Sequence, residues 1–333
     1  MKLSEHDKEV ISCVFFRAEL PVRQIASETG IGEAVVRRCL SRLLNDKSIQ
    51  LRPFVNPFAV GLSEFMALIS THGMDPEVRR KLLNELVQSR HTTYVGSIGG
   101  DFHLAVMFLA QDIGKITTIF DAINERIGNA PYERDISPCS HIALFAPKYL
   151  GAKLYGPSSM TYGPVEKTHI IDELDQRLLH GLGMLTVFST SDLARALGVP
   201  SSTVTYRLNA LREKGIFLGF GYRHRPTNHG FLPFALQVKA AGISRAIRLK
   251  IREYCAAHQA TSYLIEGAGA WDFQIGIRPT DMRAPTVIAE DILRTFAPHV
   301  TKVTTIPIHD CLKLVPYPLA EAWPMKRVRA AND

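Results

Sequence analysis

Two short stretches carry the side chains best suited to chemistry, and that chemistry is recognition rather than bond breaking. In residues 33–45 the apolar Val36, Leu40 and Leu43 fall at i, i+4 and i+7, one face of a helix, which turns Arg37, Arg38, Ser41 and Arg42 outward. An outward guanidinium can fork onto guanine O6 and N7 or hold a phosphate. In residues 201–213 the matching frame of Val204, Leu208 and Leu211 presents Ser201, Ser202, Thr203, Thr205, Tyr206, Arg207 and Asn209. Hydroxyls near a helix N-terminus suit phosphate oxygens, helped by the free backbone amides there. The plainer alternative for both stretches is a solvated helix face on a packing module.

Spacing for catalysis or metal binding is not found. The 12 histidines form no HxH or HExxH pair, and no GxSxG, phosphate-binding glycine loop or dinucleotide fingerprint occurs. The five cysteines (Cys13, Cys39, Cys139, Cys255, Cys311) are far apart and form no CxxC, which argues against a zinc site or a disulfide framework. No catalytic residue, metal or cofactor is therefore assigned, and the expectation is that the chain is not an enzyme.

The elements that must position these side chains are repeated. Residues 21–43 lie on residues 189–211 at a constant offset of 168, with Ile25 on Leu193, Ala26 on Ala194, Gly30 on Gly198 and Ile31 on Val199. Each copy reads as helix, glycine turn, helix, and each is preceded by a further helix opened by Ser4 or Asp172. A short strand or wing follows at 48–53 and at 216–222. Arg52, Arg223 and Arg225 on and beyond the wings could reach flanking phosphates. After each wing the pattern becomes strand, helix, hairpin, helix, strand, the βαββαβ order of ferredoxin-like domains. The hairpins turn at Gly99-Gly100-Asp101 and at Gly267 to Asp272.

The predicted organisation is α+β: winged helix-turn-helix at 1–57, ferredoxin-like domain at 58–150, a Gly/Pro/Ser-rich linker at 151–168, a second winged helix-turn-helix at 169–228, a second ferredoxin-like domain at 229–320 and a polar, basic tail at 321–333. At 333 residues, 46% hydrophobic and 21% charged, the chain has globular composition. It has no apolar run long enough to span a bilayer and no signal-peptide character at its start, so a cytoplasmic protein without membrane contact is expected. The net charge of +7 is unevenly placed: residues 1–166 hold 18 basic and 18 acidic side chains, residues 167–333 hold 21 and 14. That asymmetry permits an anionic partner.

These segments resemble the Lrp/AsnC, or feast/famine, family of transcriptional regulators, in a tandem duplicated form. The resemblance rests on Asp172-Glu-Leu-Asp175, on 193–220 as helix-turn-helix and wing, and on Gly269-Ala-Trp-Asp-Phe273 as the family's effector-domain turn. The first half is looser, with Cys39 at the place of Arg207. The resemblance implies a sequence-specific DNA-binding regulator, an imperfect palindromic operator, a homodimer or homotetramer, and a small-molecule effector such as an amino acid. It also implies an effector site at the hairpins, with Gly99, Gly100, Asp101, Gly267, Gly269, Trp271 and Asp272 as candidates. The hairpin geometry alone would account for the same residues. Siroheme decarboxylases resemble this architecture too, and are the enzymatic alternative. In that reading His91, in His91-Thr-Thr-Tyr94, would face a tetrapyrrole, although Val95–Gly100 lack the arginine expected beside it.

Overall fold

The computed structural model describes residues 3–184, 189–225 and 229–319; the tail expected at 321–333 lies outside them. The first helical unit comprises α1 (Glu5–Val14), α2 (Val22–Thr29), α3 (Glu33–Asn45) and the wing strand β1 (Ile49–Val55). Ser4 and Asp7 close the capping box that their spacing predicts: Asp7 N donates to Ser4 Oγ at 3.2 Å and Ser4 N donates to the Asp7 carboxylate at 2.9 Å. Gly30 ends α2 at φ +72°, where a side chain would be strained. The second unit repeats this with α6 (Glu173–Met184), α7 (Thr190–Leu197), α8 (Ser201–Glu213) and β7 (Phe217–His224).

Between the units run β2 (Ser63–Ser70), α4 (Pro76–Gln88), β3 (Thr92–Ile98), β4 (Leu104–Ala110), α5 (Ile113–Arg126), β5 (Glu133–Phe145) and β6 (Ser159–Tyr162). After the second unit come β8 (Phe234–Ala240), α9 (Arg245–Ala257), β9 (Thr261–Gly267), β10 (Phe273–Ile277), α10 (Ala284–Thr295) and β11 (Val300–Leu314). The two halves share local detail as well as order. Thr92 Oγ1 donates to the carbonyls of Leu86 and Ser89, and Thr261 Oγ1 to those of Cys255 and His258, each pair 169 residues from its counterpart.

The strands do not form two separate sheets. They make one, in the order β2-β4-β3-β11-β8-β10-β9-β5-β6, and β5 also pairs with β2. Eight strands thus close into a ring, which leaves them no free edge. The two long strands make the closure. Glu133–Cys139 of β5 pairs with β2 and Cys139–Leu144 pairs with β9; Val300–Pro307 of β11 pairs with β8 and Ile308–Leu314 pairs with β3. Sequence reading gives only 141–145 and 303–308 as strand. The polar Glu133-Arg-Asp stretch and the continuation past Ile308 belong to a pairing between halves, which has no local signature.

Side chains fill three layers. Helices α4 and α5 cover one arc of the ring around Leu82, Leu86, Phe108 and Phe120. Helices α9 and α10 cover the other arc around Ile251, Cys255, Phe273 and Ile292. Inside the ring lie Met66, Leu68, Met107, Ile142, Ile265 and Trp271. Lysines lock the halves across the joins: Lys313 Nζ donates to Ser89 O at 2.6 Å beyond α4, and Lys148 Nζ donates to Cys255 O at 3.3 Å at the end of α9.

The wings also pair with each other. β1 and β7 form a two-stranded antiparallel sheet in which Arg52 lies opposite Gly221 and Gln50 opposite Arg223. Leu51 and Val55 of β1 are buried among Leu178, Leu182, Leu193, Leu208 and Phe217 of the second helical unit. The expected linker is not a plain tether. Its Ser159–Tyr162 stretch adds β6 to β5, Arg17 donates to Tyr155 O at 2.7 Å, and Ser12 donates to Lys153 O at 2.5 Å. Gly151 marks a turn in it, at φ +74°.

Candidate ligand cavity and helix surfaces

A cavity of about 410 Å³ lies between the paired wings and the ring, within the usual range for small-molecule sites. The wings contribute Arg52, Arg223, His224 and Arg225; β10 and its end contribute Gln274 and Arg278. Tyr94, Tyr149, Tyr162, Tyr222 and Tyr263 line it, as do His309 on β11 and an apolar group including Met66, Met107 and Ile142. Its acidic lining residues are Glu64 and Asp310.

Among the described residues, no carboxylate lies within ion-pair distance of Arg52, Arg223, Arg225 or Arg278. Arg52 leans over Phe54 at 5.5 Å and Arg278 over Tyr263 at 5.9 Å, aromatic contacts that leave their charge uncancelled. Burial, reinforced by Arg223, pulls the Arg52 guanidinium below its ordinary value. His224 is buried with Nδ1 3.1 Å from the Tyr149 hydroxyl and its Nε2 without a partner; burial takes its pKa down to about 3, so it is neutral. Burial likewise raises the Tyr149 hydroxyl to about 12 and pushes Tyr94 and Tyr162 up, so all three remain O–H donors near neutrality. The site is thus a ring of fixed cations, neutral hydroxyls and aromatic faces.

Glu64 is the exception in sign. It is 6% exposed, its Oε2 has no hydrogen-bond partner, and burial raises its pKa to about 7 against an ordinary 4.5, with Arg52 opposing the shift. A carboxyl that keeps its proton longer in the fold than in the open chain favours folding below its unfolded pKa. That advantage is lost as pH rises through the folded value. The protein should therefore lose stability between about pH 4.5 and 7, by on the order of 3 kcal/mol at most. Denaturant midpoints at pH 5 and 8 check this, and Glu64→Gln should flatten the difference.

The effector residues expected at the hairpins lie elsewhere. None of Gly99, Gly100, Asp101, Gly267, Gly269, Trp271 and Asp272 lines the cavity. Trp271 is 2% exposed inside the ring, and a Cβ on Gly267 would sit 2.6 Å from its indole, so Gly267 makes room for the ring. Asp272 Oδ2 accepts from Ala240 N at 2.9 Å and lies 3.6 Å from Lys239 Nζ, a partnered turn residue. Lys239 Nζ also donates to Gly269 O at 2.6 Å. Asp101 is exposed. Gly100 needs its φ of +99° for the turn, and a Cβ on Gly99 would be 2.9 Å from His309 Nε2. His91 does not line the cavity either, whereas Thr93 and Tyr94 beside it do. Arg52, Arg223 and Arg225, read from sequence as phosphate contacts, face the cavity because the wings pair with each other.

On the recognition helices the expected residues divide. Arg37, Arg38, Ser41, Ser201, Ser202, Thr205, Tyr206 and Asn209 are exposed, Tyr206 at 72%. Thr203 is half-buried, Thr205 Oγ1 is turned back onto Ser201 O at 3.1 Å, and Asn209 accepts from Arg212 at 3.4 Å. Arg42 and Arg207 are engaged inside their units. Arg42 pairs with the buried Asp7, and Arg207 pairs with Asp172 at 2.5 Å and Asp175 at 3.2 Å. Asp7 and Asp175 are equivalent in the repeat, but the arginines that meet them stand one helical turn apart. Sequence spacing correctly shows that these arginines leave the core side, but it cannot show a carboxylate waiting on another helix.

The cavity residues Glu64, Tyr149, Tyr162, Tyr263, His224, His309 and Arg278 have no local motif, since separate strands and loops bring them together. Two signals were available. Glu64 and Gln274 stand within largely apolar strands, and Tyr94 and Tyr263 are 169 residues apart, the spacing of Thr92 and Thr261.

A family model described as winged helix-turn-helix DNA-binding matches residues 189–217. An uncharacterized HTH-type transcriptional regulator of Pyrococcus abyssi is 28% identical over 127 residues, 38% of this chain and 84% of the relative. Over nearly its full length the chain is similar in structure to the siroheme decarboxylase NirDL, with a TM-score of 0.58, 15% identity, and 94% and 93% of the two chains covered. That enzyme has also been solved with an iron-uroporphyrin III analogue, with the same TM-score and 14% identity. An AsnC family regulator from Agrobacterium tumefaciens aligns with 44% of this chain and 94% of its own, at a TM-score of 0.38 and 15% identity. The chain thus contains a winged helix-turn-helix in a mixed helix and sheet fold. The expectation that it is not an enzyme is overturned, because the arrangement of both halves together is one that an enzyme adopts. No helix among the described residues is long and apolar enough to cross a membrane.

Proposed function

We propose that the chain is a decarboxylase acting on a carboxylate-bearing tetrapyrrole held in the cavity. The observation that carries this reading is the set Arg52, Arg223, Arg225 and Arg278 around one cavity, none of them ion-paired to a carboxylate among the described residues. Guanidiniums gathered around one cavity repel one another and lose part of their hydration, a cost that a polyanionic ligand offsets through charge-assisted, often bidentate hydrogen bonds. Five tyrosines and two histidines on the same walls offer faces and donors to a flat aromatic macrocycle. The full-length likeness to a siroheme decarboxylase, seen also with a uroporphyrin analogue, supports the same ligand class. Anaerobic titration with siroheme tests it. A saturable shift of the tetrapyrrole absorbance band at stoichiometric protein is the expected result; an unshifted spectrum at tens of micromolar protein contradicts it.

A second reading, a DNA-binding regulator of the Lrp/AsnC type, is favoured by the match at 189–217 and by the outward Arg37, Arg38, Thr205, Tyr206 and Asn209. Its operator would be an imperfect palindrome, because the two recognition helices present different side chains. Its effector would be a small molecule such as an amino acid, and its working form a dimer or tetramer of the chain. Arg42 and Arg207 are held by carboxylates outside their own helix, whereas Arg37 meets only Glu33 one turn away on its own exposed face, at 3.4 Å, so Arg37 and Arg38 are the better reporters. Arg37→Ala with Arg38→Ala should weaken a sequence-specific gel shift by about 10-fold or more and reduce its salt dependence. Retention of full affinity removes those side chains from the interface.

A further inference from the structure

Glu64 is left unexplained by the binding reading, because an acid is a poor neighbour for an anionic ligand. The position 169 residues later is Pro233, which also lines the cavity, so the second half carries no carboxyl there. Glu64 stands on β2 opposite Leu109 of β4 and Cys139 of β5, with Met66 and Met107 next along the cavity wall. Its Oε2 is buried without a hydrogen-bond partner. The charged and titratable groups that face it are Arg52 from β1, Cys139 from β5 and Tyr162 from β6. Neither β4 nor the Pro57–Val60 turn carries a titratable side chain.

Resting on the decarboxylase reading, we propose that Glu64 is the acid that protonates the substrate carbon as carbon dioxide leaves. The bond between an acetate methylene and its carboxyl carbon breaks. The electron pair stays on the methylene carbon and spreads into the conjugated macrocycle. The Glu64 O–H then supplies the proton that turns this methylene into a methyl group, with carbon dioxide as the other product. The resulting Glu64 carboxylate, beside Arg52, takes its next proton from water, so no oxidant or reductant is consumed. Burial keeps the acid protonated at the start: its pKa is raised to about 7, whereas Cys139 and Tyr162 are pushed up further and stay neutral. An acid of this kind donates only while protonated, so turnover should decline as pH rises through about 7.

The test compares the wild type, Glu64→Gln and Glu64→Asp with siroheme, reading binding from the absorbance shift and turnover from product mass. Glu64→Gln should bind with wild-type affinity and turn over about 100-fold more slowly or less, the usual effect of removing a general acid. Glu64→Asp should recover part of the rate and keep the alkaline decline. A wild-type rate in Glu64→Gln overturns the assignment while leaving the decarboxylase reading in place. So does a loss of turnover fully matched by lost binding, or an alkaline decline that persists in a still-active Glu64→Gln. If the wild type binds siroheme without decarboxylating it, or does neither, the decarboxylase reading fails and this inference with it.

Discussion

An Arg223→Ala, Arg278→Ala double variant is expected to bind siroheme roughly 100-fold or more weakly than the wild type, with its fold intact. Each hydrogen bond to a charged partner contributes about 1.5–3 kcal/mol, and two are removed. Neither arginine has a carboxylate partner within the described chain, so no internal ion pair is broken. Stability should move the other way. Burial already pulls Arg52 below its ordinary value and its Nε has no hydrogen-bond partner, so exchanging this guanidinium for a methionine of similar length should raise the melting temperature while weakening siroheme binding. Absorbance titrations and thermal scans of the same preparations read both effects. Unchanged binding in the double variant would remove the cationic wall from the ligand site.

Trp271→Ala should be the most damaging single change to the fold, at about 3–5 kcal/mol. The indole is 2% exposed, packs inside the ring, and occupies space that Gly267 leaves open. Truncation leaves a cavity that strands on all sides prevent from collapsing. A Trp271 that walled an effector site would behave differently, losing a ligand at little cost in stability. Chemical denaturation separates the two, and a loss below about 1 kcal/mol would return Trp271 to the surface of a site.

The helical units were legible because their signals are local. The capping residues, the glycine turns and the i, i+4, i+7 apolar frame each lie within one helix or turn, and Ser4, Gly30, Gly198 and Gly215 stand where those rules put them. The order of strands and helices after each wing was legible for the same reason. The ring was not. β5 and β11 each serve both halves, and the pairing of Cys139 with Gly267 or Ile308 with Ile98 is a contact across more than 100 residues with no pattern in either segment. The site inherits this difficulty. Arg52 and Arg223 read as DNA-facing wing residues because a wing normally flanks a helix-turn-helix alone. Here the wings pair and their arginines turn inward. The hairpin glycines read as ligand contacts, yet they serve turns and the close approach of Trp271 and His309.

The central claim is that the cavity decarboxylates a tetrapyrrole, and product analysis after anaerobic incubation with siroheme tests it most directly. Mass spectrometry should show siroheme losing carbon dioxide from its acetate side chains, with the macrocycle otherwise unchanged. The reaction should be abolished in the Arg223→Ala, Arg278→Ala variant. Siroheme recovered unaltered after prolonged incubation with folded protein, at concentrations that saturate the absorbance shift, would contradict it.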